Sequence, residues 1–472
     1  MRDITKKLVL VRKIAGILHE QLGVETFFVG GFVRDTLLGV ESHDIDLATG
    51  ARPKQIIKVL HEKSCCSIVL KEKVTFTVLP LGIEYGVVSV VCKTPTITEV
   101  FEIASFRKDM ACDGRHAVIK YAKTIQEDLA RRDLTINAMA MNVTDNCFVD
   151  PFGGKKDLEK KIIRTVGNPT ERFNEDYLRM IRAVRFVGTI GGYLDKDTGI
   201  AIQANCGKLS LISKERIRDE LLKMLVLDNV KNCILLMDQL GLLARVIPPL
   251  TQCIDVGGGC HHSESVFEHC VDAGCFLPAD NPLLRLAGLL HDIGKPTTKE
   301  GSGEECSFIQ HETVGAKLAE KYLREFKFSS YEVEYVCNIV KNHMFHFELD
   351  TKKKAIKKWL VRVGGNWRDL IQLRMADRAA NRAKVGKPLV TNFMEDLIEK
   401  VSEIENYEEP LRITDLEISG NDLIEKFNLT PGPIFSILLG ECLDIVLEDP
   451  EKNVKETLID IVKEKLNAKS KN

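Results

Sequence analysis

Three groups of residues bring chemically capable side chains close together in this sequence. The first is Gly30-Gly-Phe-Val-Arg-Asp-Thr-Leu-Leu-Gly39, followed at once by Asp44-Ile-Asp46. In a strand, residues two apart project to the same side, so Asp44 and Asp46 face one way while Ile45 enters the core. Two carboxylates so placed repel unless a cation lies between them, and Mg²⁺ fits, because it takes a few carboxylates plus water and phosphate oxygens. A pair of such ions activates an attacking hydroxyl and steadies a leaving pyrophosphate. Gly30 and Gly31 let backbone N–H groups approach a phosphate at the start of a helix. Arg34, in the first turn of that helix, suits a forked contact to phosphate oxygens. Asp35 reads equally as a structural ion-pair partner or a direct participant. An Asp-x-Asp alone is commonly an exposed turn; the complete string is what favours the metal reading.

The second group lies further on. Glu127-Asp-Leu-Ala-Arg-Arg-Asp-Leu-Thr-Ile-Asn137 sets two cations beside a carboxylate, suited to a triphosphate and a ribose. Arg131 is the phosphate candidate. Arg132 reads equally as an ion-pair partner, and Asp133 and Asn137 either order the ribose or brace the loop. Arg172-Phe-Asn-Glu-Asp-Tyr-Leu-Arg-Met-Ile-Arg-Ala-Val-Arg-Phe186 reads as one amphipathic helix. At about 100° per residue, Asp176 and Arg179 fall about 60° apart on one face, Arg182 continues the drift, and Arg185 ends about half a turn away. A carboxylate only accepts and a guanidinium only donates. Asp176 with Arg179 therefore suits cytosine or adenine, which offer an amino donor beside a ring-nitrogen acceptor, and rejects uracil and guanine.

The third group is His269, His291-Asp292 and Asp377, with Leu286-Ala-Gly-Leu-Leu-His-Asp-Ile-Gly-Lys-Pro296 reading as an apolar helix that ends in the His-Asp pair. Imidazole and carboxylate together suit Mn²⁺, Fe²⁺, Ni²⁺ or Zn²⁺.

The elements that must position these groups follow from the patterning. A chain of 472 residues, 44% hydrophobic and 28% charged, is an ordinary globular composition and long enough for two to four domains. No apolar run reaches the ~20 residues of a membrane span, and the first residues read as an amphipathic helix, with Leu8, Val11, Ile14, Ala15 and Leu18 at helical spacing, rather than a leader. A cytoplasmic protein is expected. The 14 cysteines include no Cys-x-x-Cys pair; Cys253, Cys260, Cys270 and Cys275 read as small buried hydrophobes. The net charge of −2 does not mark a nucleic-acid binder, so any basic surface must be local. Strands are expected at Thr26 to Val29, His43 to Ala48, Gly86 to Cys92 and Val100 to Phe106, with a helix from Phe32 to Leu38. Beyond Asn174 the pattern is nearly all helical, with Ser213 as the N-cap of one helix. Breaks fall at Pro248-Pro249, Gly257 to Gly259 and, more weakly, 384–391.

Gly30 to Gly39 with Asp44-Ile-Asp46 resembles the signature of the class II tRNA nucleotidyltransferases and bacterial poly(A) polymerases. The resemblance implies a head like that of DNA polymerase β and two aspartates that hold Mg²⁺. Glu102, in Glu102-Ile-Ala-Ser-Phe-Arg107, is similar to the family's third carboxylate, with Glu99 as the competing choice. Asp113-Gly-Arg-His116 is similar to the family's flexible loop, with Ala117 where a proline is often found. Arg131-Arg-Asp133 with Asn137 matches the family's Arg-Arg-Asp…Asn motif. The segment Glu175-Asp176…Arg179 is similar to the motif in which side chains replace a nucleic-acid template, and Arg182 and Arg185 match further nucleotide-binding positions. The resemblance thus implies that Gly31, Arg34 and Arg131 hold the triphosphate. The third group resembles the HD superfamily of metal-dependent phosphohydrolases; Val266-Phe-Glu-His269 and Arg374-Met-Ala-Asp377 supply its outer members. His311 and His343 look like the extra ligands of two-metal members, with His261 and His262 as further candidates. Leu411 to Leu423 and Pro431-Gly-Pro433 look like a tail that grips tRNA.

An α+β protein is therefore expected. Its parts are an N-terminal helix (1–24), a polymerase-β-like head with a mixed sheet (25–150), a helical neck (151–250), an HD domain (251–385) and a helical tail (386–472). The implied activity is template-independent addition of CCA to tRNA 3′ ends from CTP and ATP. CC-only or A-only addition shares every motif above. A poly(A) polymerase is the next alternative, although Leu81-Gly-Ile-Glu-Tyr-Gly-Val-Val-Ser-Val90 is more like the tRNA enzymes, and an HD phosphohydrolase is the alternative of a different class.

Overall fold

The computed structural model describes residues 2–42, 44–63, 67–69, 72–112, 117–257, 264–301, 306–349, 351–382, 386, 388–406 and 412–469. The loop Asp113–His116, His261 and His262 lie outside the described residues. The chain forms two compact units, Met1–Pro248 and Pro249–Asn472.

In the first unit, helix α1 (Arg2–Leu22) buries Leu10, Val11, Ile14, Ala15, Ile17 and Leu18. Strand β1 (Thr26–Val29) is wholly buried and leads through Gly30 into α2 (Gly31–Leu38). Then come β2 (Asp46–Thr49), β3 (Ser67–Val69), β4 (Glu72–Leu79), β5 (Val87–Lys93) and β6 (Thr98–Ser105). A hairpin, β7 (Arg107–Cys112) and β8 (Ala117–Tyr121), stands apart from the main sheet; β9 (Ala140–Asn142) and β10 (Phe148–Val149) return to its edge. The eight-stranded order is β10-β9-β1-β2-β6-β5-β4-β3. Only β2 and β6 pair in parallel in that sheet, and their register sets Asp46 against Glu102. Alternating burial along β6 hides Phe101, Ile103 and Ser105 and leaves Glu102 exposed on the same side as Asp46.

The strand expected from His43 begins only at Asp46, and Asp44 sits on the preceding loop. Ile45 is nevertheless buried between two exposed aspartates, so the alternation extends past the end of the hydrogen-bonded ladder.

The helices that complete the site are α3 (Pro169–Glu175), α4 (Leu178–Ile190) and α5 (Lys214–Leu225). The single helix expected across 172–186 is broken at Asp176, whose φ of −158° and ψ of 107° are extended. Ser213 occupies the N-cap position of α5 without a side-chain cap bond.

The second unit is helical among its described residues. Helices α6 (Val266–Phe276), α7 (Pro282–Leu290), α8 (His311–Glu325), α9 (Ser330–Asn342), α10 (Lys353–Val363) and α11 (Trp367–Ala380) carry its histidines and their neighbours. Beyond them, residues 416–462 bury their own apolar cluster around Leu423, Leu438, Cys442 and Leu458. No helix among the described residues is long and apolar enough to cross a membrane.

Candidate active site

Gly30 starts the site. Its φ of 67° and ψ of −128° suit glycine, and a Cβ there would lie 2.9 Å from Arg132 Nη1 and 3.7 Å from Asp46 Oδ2. The β1–α2 turn therefore runs against the carboxylate and the guanidinium at once. We expect Gly30→Ala to cost on the order of 1–3 kcal/mol in stability and to depress nucleotide addition, checked by thermal melts alongside single-turnover rates.

A pocket of about 720 Å³ opens at this turn. Among the described residues, eight cations (Arg34, Arg131, Arg132, Arg179, Arg182, Arg185, Arg216 and Lys223) line it against four aspartates, Asp44, Asp46, Asp133 and Asp176. The protein is nearly neutral overall, so this local excess of positive charge suits a polyanionic ligand. Gly31 lines it at the first position of α2.

Carboxylates set further back hold the cations in place. Asp35 takes Arg34 in a fork, at 2.8 Å to Nε and 2.7 Å to Nη2, while Arg34 Nη1 donates to Asn137 Oδ1 at 2.7 Å. Asp128, buried, pairs with Arg131 at 3.0 Å and Arg132 at 3.4 Å. Glu220 receives Arg185 at 2.7 Å and Lys223 at 3.2 Å. Burial alone would push Glu220 up, but Arg185 and Arg182 beside it hold its carboxyl below the usual range. The Phe186 ring supports the guanidiniums of Arg34, Arg182 and Arg185 at 5.0, 5.8 and 4.4 Å. Arg132 Nε is buried without a hydrogen-bond partner among the described residues. Desolvation depresses the Arg132 guanidinium, against the opposing pull of Asp128.

Asp46 is raised above the ordinary carboxylate range, first by desolvation at the foot of the pocket; Arg132 opposes, and Glu102 and Asp44 add like-charge repulsion. Two further carboxylates that make it costlier for Asp46 to ionise complete a donor set suited to a divalent cation. Glu102 reaches this group through strand register and does not line the pocket. Glu99 is engaged elsewhere, 3.0 Å from Lys7.

Asp176 and Arg179 both line the pocket, but not by the helical geometry expected. Asp176 caps the break between α3 and α4, with Oδ1 accepting from Leu178 N at 3.1 Å and Oδ2 lying 2.6 Å from Arg216 Nη2. Arg179 pairs with Glu175 and donates to the Arg172 and Arg131 carbonyls, each at 3.1 Å. Because the helix breaks, the angular separation that set Arg185 apart does not apply, and Arg185 lines the same pocket. Sequence reasoning passed over Arg216, Lys223 and Phe186. The first two stand on the polar face of α5, which reads as solvated until a partner pocket is known.

The second unit gathers all six expected ligands. His269 Nε2 lies 3.0 Å from Asp377 and 3.7 Å from Asp292. Asp292 is also 3.3 Å from His291, 3.2 Å from His311 and 3.6 Å from His343, each measured to Nε2. His269, His291 and Asp377 form one group able to hold a metal, and His291, Asp292 and His343 another. The histidine orientations have a cause. His291, His311 and His343 stand at helix ends, where Nδ1 meets the carbonyls of Gly288, Phe308 and Val340 at 2.7, 2.8 and 2.7 Å. An Nδ1–H donated to a carbonyl leaves the Nε2 lone pair facing inward, as a metal requires. Gly294 permits the approach of α8: a Cβ there would lie 2.0 Å from the His311 carbonyl oxygen. Asp377 and Glu264, bonded to His269, outweigh burial and raise its imidazole to about 9. Cys253 and Cys270 are buried and Cys275 is half-buried, and no cysteine joins a metal group among the described residues.

Family models match segments of both units. The Poly A polymerase head domain model matches residues 26–164, the probable RNA and SrmB-binding site of polymerase A residues 193–254, and the HD domain residues 260–378. An A-adding tRNA nucleotidyltransferase from Deinococcus radiodurans is 31% identical over 425 residues, 86% of this chain and 87% of its own. The chain belongs to the tRNA nucleotidyltransferase family. The family is divalent-metal dependent. This nucleotidyltransferase also matches the Bacillus stearothermophilus CCA-adding enzyme in complex with CTP, with a TM-score of 0.66 and 26% identity over 98% of each chain. A CCA-adding enzyme from Lactobacillus johnsonii is 42% identical over 206 residues, which spans only 43% of this chain and 47% of its own.

Proposed function

We propose that this nucleotidyltransferase adds CCA to the 3′ end of tRNA from CTP and ATP, releasing pyrophosphate. The observation that carries the reading is one pocket holding three kinds of group: the Asp44–Asp46 pair, an excess of guanidiniums, and an acceptor–donor couple in Asp176 and Arg179. Asp44 and Asp46, with Glu102 on the neighbouring strand, would hold Mg²⁺. When bound, Mg²⁺ supplies Lewis-acid stabilisation of the transferring phosphoryl group and acidifies the attacking hydroxyl. Gly31 N–H, Arg34 and Arg131 bind the triphosphate and hold pyrophosphate as it leaves. Asp176 accepts from the exocyclic amine of the base and Arg179 donates to its ring nitrogen, so an incoming nucleotide exchanges Arg216 and Glu175 for itself. Arg182 and Arg185 brace the wall over Phe186. Most of the rate enhancement is positioning and charge neutralisation.

The test is single-turnover extension of tRNA transcripts ending before CCA, after CC, and complete, with CTP, ATP or both. Addition of C, C and A followed by arrest is expected. The likeness to an A-adding enzyme over 86% of this chain supports a second reading, A-only addition; extension of the CC-ended transcript alone would replace the first reading with that one. A long A ladder would indicate a poly(A) polymerase, and no extension would sink both tRNA readings.

For the second centre we propose a transition-metal site, for Mn²⁺, Fe²⁺, Ni²⁺ or Zn²⁺, held by His269, His291, Asp292, Asp377, His311 and His343, and able to hydrolyse phosphate esters. Because His269 is held protonated up to about 9 in the metal-free site, metal must displace a proton. Calorimetric titration with Mn²⁺ at pH 7.5 should release about one proton, read from buffers of different ionisation enthalpy, and affinity should rise with pH toward that value. No proton release, or release unchanged in His291→Ala, would sink the assignment.

A further inference from the structure

A second cleft, of about 570 Å³, lies within the Pro249–Asn472 unit between α8, α9 and α10, and none of the six histidine and aspartate ligands lines it. Where α8 packs on α9, His311 Nε2 lies 3.4 Å from His343 Nε2 just past the end of α9, and the Cys337 thiol donates to the Ala316 carbonyl at 3.6 Å. Val333, Cys337 and Lys341 follow one another at i, i+4 along α9, so an apolar floor passes into positive charge. Lys317 from α8 and Arg362 from α10 line the same cleft. Among the described residues, Lys317, Lys341 and Arg362 have no carboxylate partner, whereas Lys353, Lys354 and Lys358 on α10 pair with Glu403, Glu448 and Asp444. Of the two glutamates in the lining, Glu320 is held by Arg324 at 2.8 Å, which leaves Glu334 alone against three cations. Asn338 Oδ1, in the cleft wall, is buried with no hydrogen-bond partner among the described residues. A buried acceptor left unmade is costly, and a ligand N–H relieves it.

We infer that this cleft binds a free nucleotide, its phosphates on Lys317, Lys341 and Arg362, its base over Val333 and Cys337, and an amino group of that base donating to Asn338. The volume suits a small-molecule site, and the site is separate from the pocket that carries the addition reaction.

The test uses the full-length protein with 8-azido-ADP as photoprobe, in EDTA to disfavour metal-dependent binding in the head pocket, and peptide mapping by mass spectrometry. Label should fall on peptides of α8 and α9 and be protected by excess ADP. Lys341→Glu with Arg362→Glu should cut that labelling about tenfold, about 1.4 kcal/mol of binding, while nucleotide addition and thermal stability hold. Asn338→Leu should weaken protection by ADP and leave protection by inorganic pyrophosphate unchanged. Label confined to head-pocket peptides, or undiminished in the double variant, overturns the inference. Protection by tRNA lacking CCA but not by ADP also overturns it, because the cleft then reads RNA. Pyrophosphate protecting as well as ADP overturns the base contact.

Discussion

Asp46→Asn should abolish nucleotide addition while leaving the fold at least as stable as the parent. The substitution keeps the shape of the side chain and removes the charge that would help hold Mg²⁺. Losing one electrostatic element aimed at the transferring phosphoryl group costs about 10²–10³-fold, and Asp46 sits where Asp44 and Glu102 meet, so a loss of about 10³-fold or more in single-turnover rate is expected. Stability moves the other way. Desolvation and the Glu102 and Asp44 charges raise the Asp46 carboxyl against the pull of Arg132. A raised carboxyl means the fold disfavours the ionised form, so stability falls as pH rises through the folded value, and a neutral amide escapes that cost at pH 7. Metal-free thermal melts should therefore place the Asn variant at or above the parent. Retention of more than about a tenth of the activity would remove Asp46 from the chemistry. A melt lowered by several degrees would make it a structural brace.

The head was readable where local signals carry position. The apolar run Thr26–Val29 is β1 residue for residue, and glycine at the strand–helix turn reflects a backbone that other residues avoid. The strand Glu72–Leu79, between β5 and β3, went unread although Val74 and Phe76 alternate with exposed Lys73, Thr75 and Thr77. Its signal is a half-buried pattern of moderate residues, weaker than the continuous apolar run of β1. The parallel pairing of β2 with β6, which brings Glu102 to Asp46, joins residues 56 positions apart, and periodicity cannot express such a contact. The break at Asp176 was misread because the residues on both sides keep helical spacing. Asp176 ends the first helix in extended backbone, and its side chain accepts from Leu178 N at the start of the next. In the second unit the ligand types were legible, but the inward aim of Nε2 depends on helix-end carbonyls that no motif spells out.

The largest stability effect is expected at Asp133. This buried carboxylate accepts from Leu134 N at 2.9 Å and Asn137 Nδ2 at 3.3 Å, and it pairs with Arg182 at 2.7 Å across the pocket wall. Burial alone would raise its carboxyl; Arg182 and the hydrogen bonds from Asn137 and Leu134 reverse the sign and hold it below the ordinary range. Removing one member of a buried pair costs about 3–5 kcal/mol, because the other charge is left uncompensated. Glu220 lies 3.7 Å from Arg182 and offsets part of this, so Asp133→Asn should cost about 3 kcal/mol. The pH dependence is set by the sign. A depressed carboxyl contributes stability that is complete above the unfolded value of about 3.9 and is lost as pH falls below it. Denaturant titrations of parent and variant should therefore differ by a constant amount from pH 5 to 8 and converge below about pH 4. Adding Arg182→Met should recover most of the stability, since no charge is then stranded, without restoring addition, since the guanidinium over Phe186 is gone. A gap that persists at low pH, or a double variant no more stable than Asp133→Asn, would show that Asp133 acts through its hydrogen bonds to the loop and not through the ion pair.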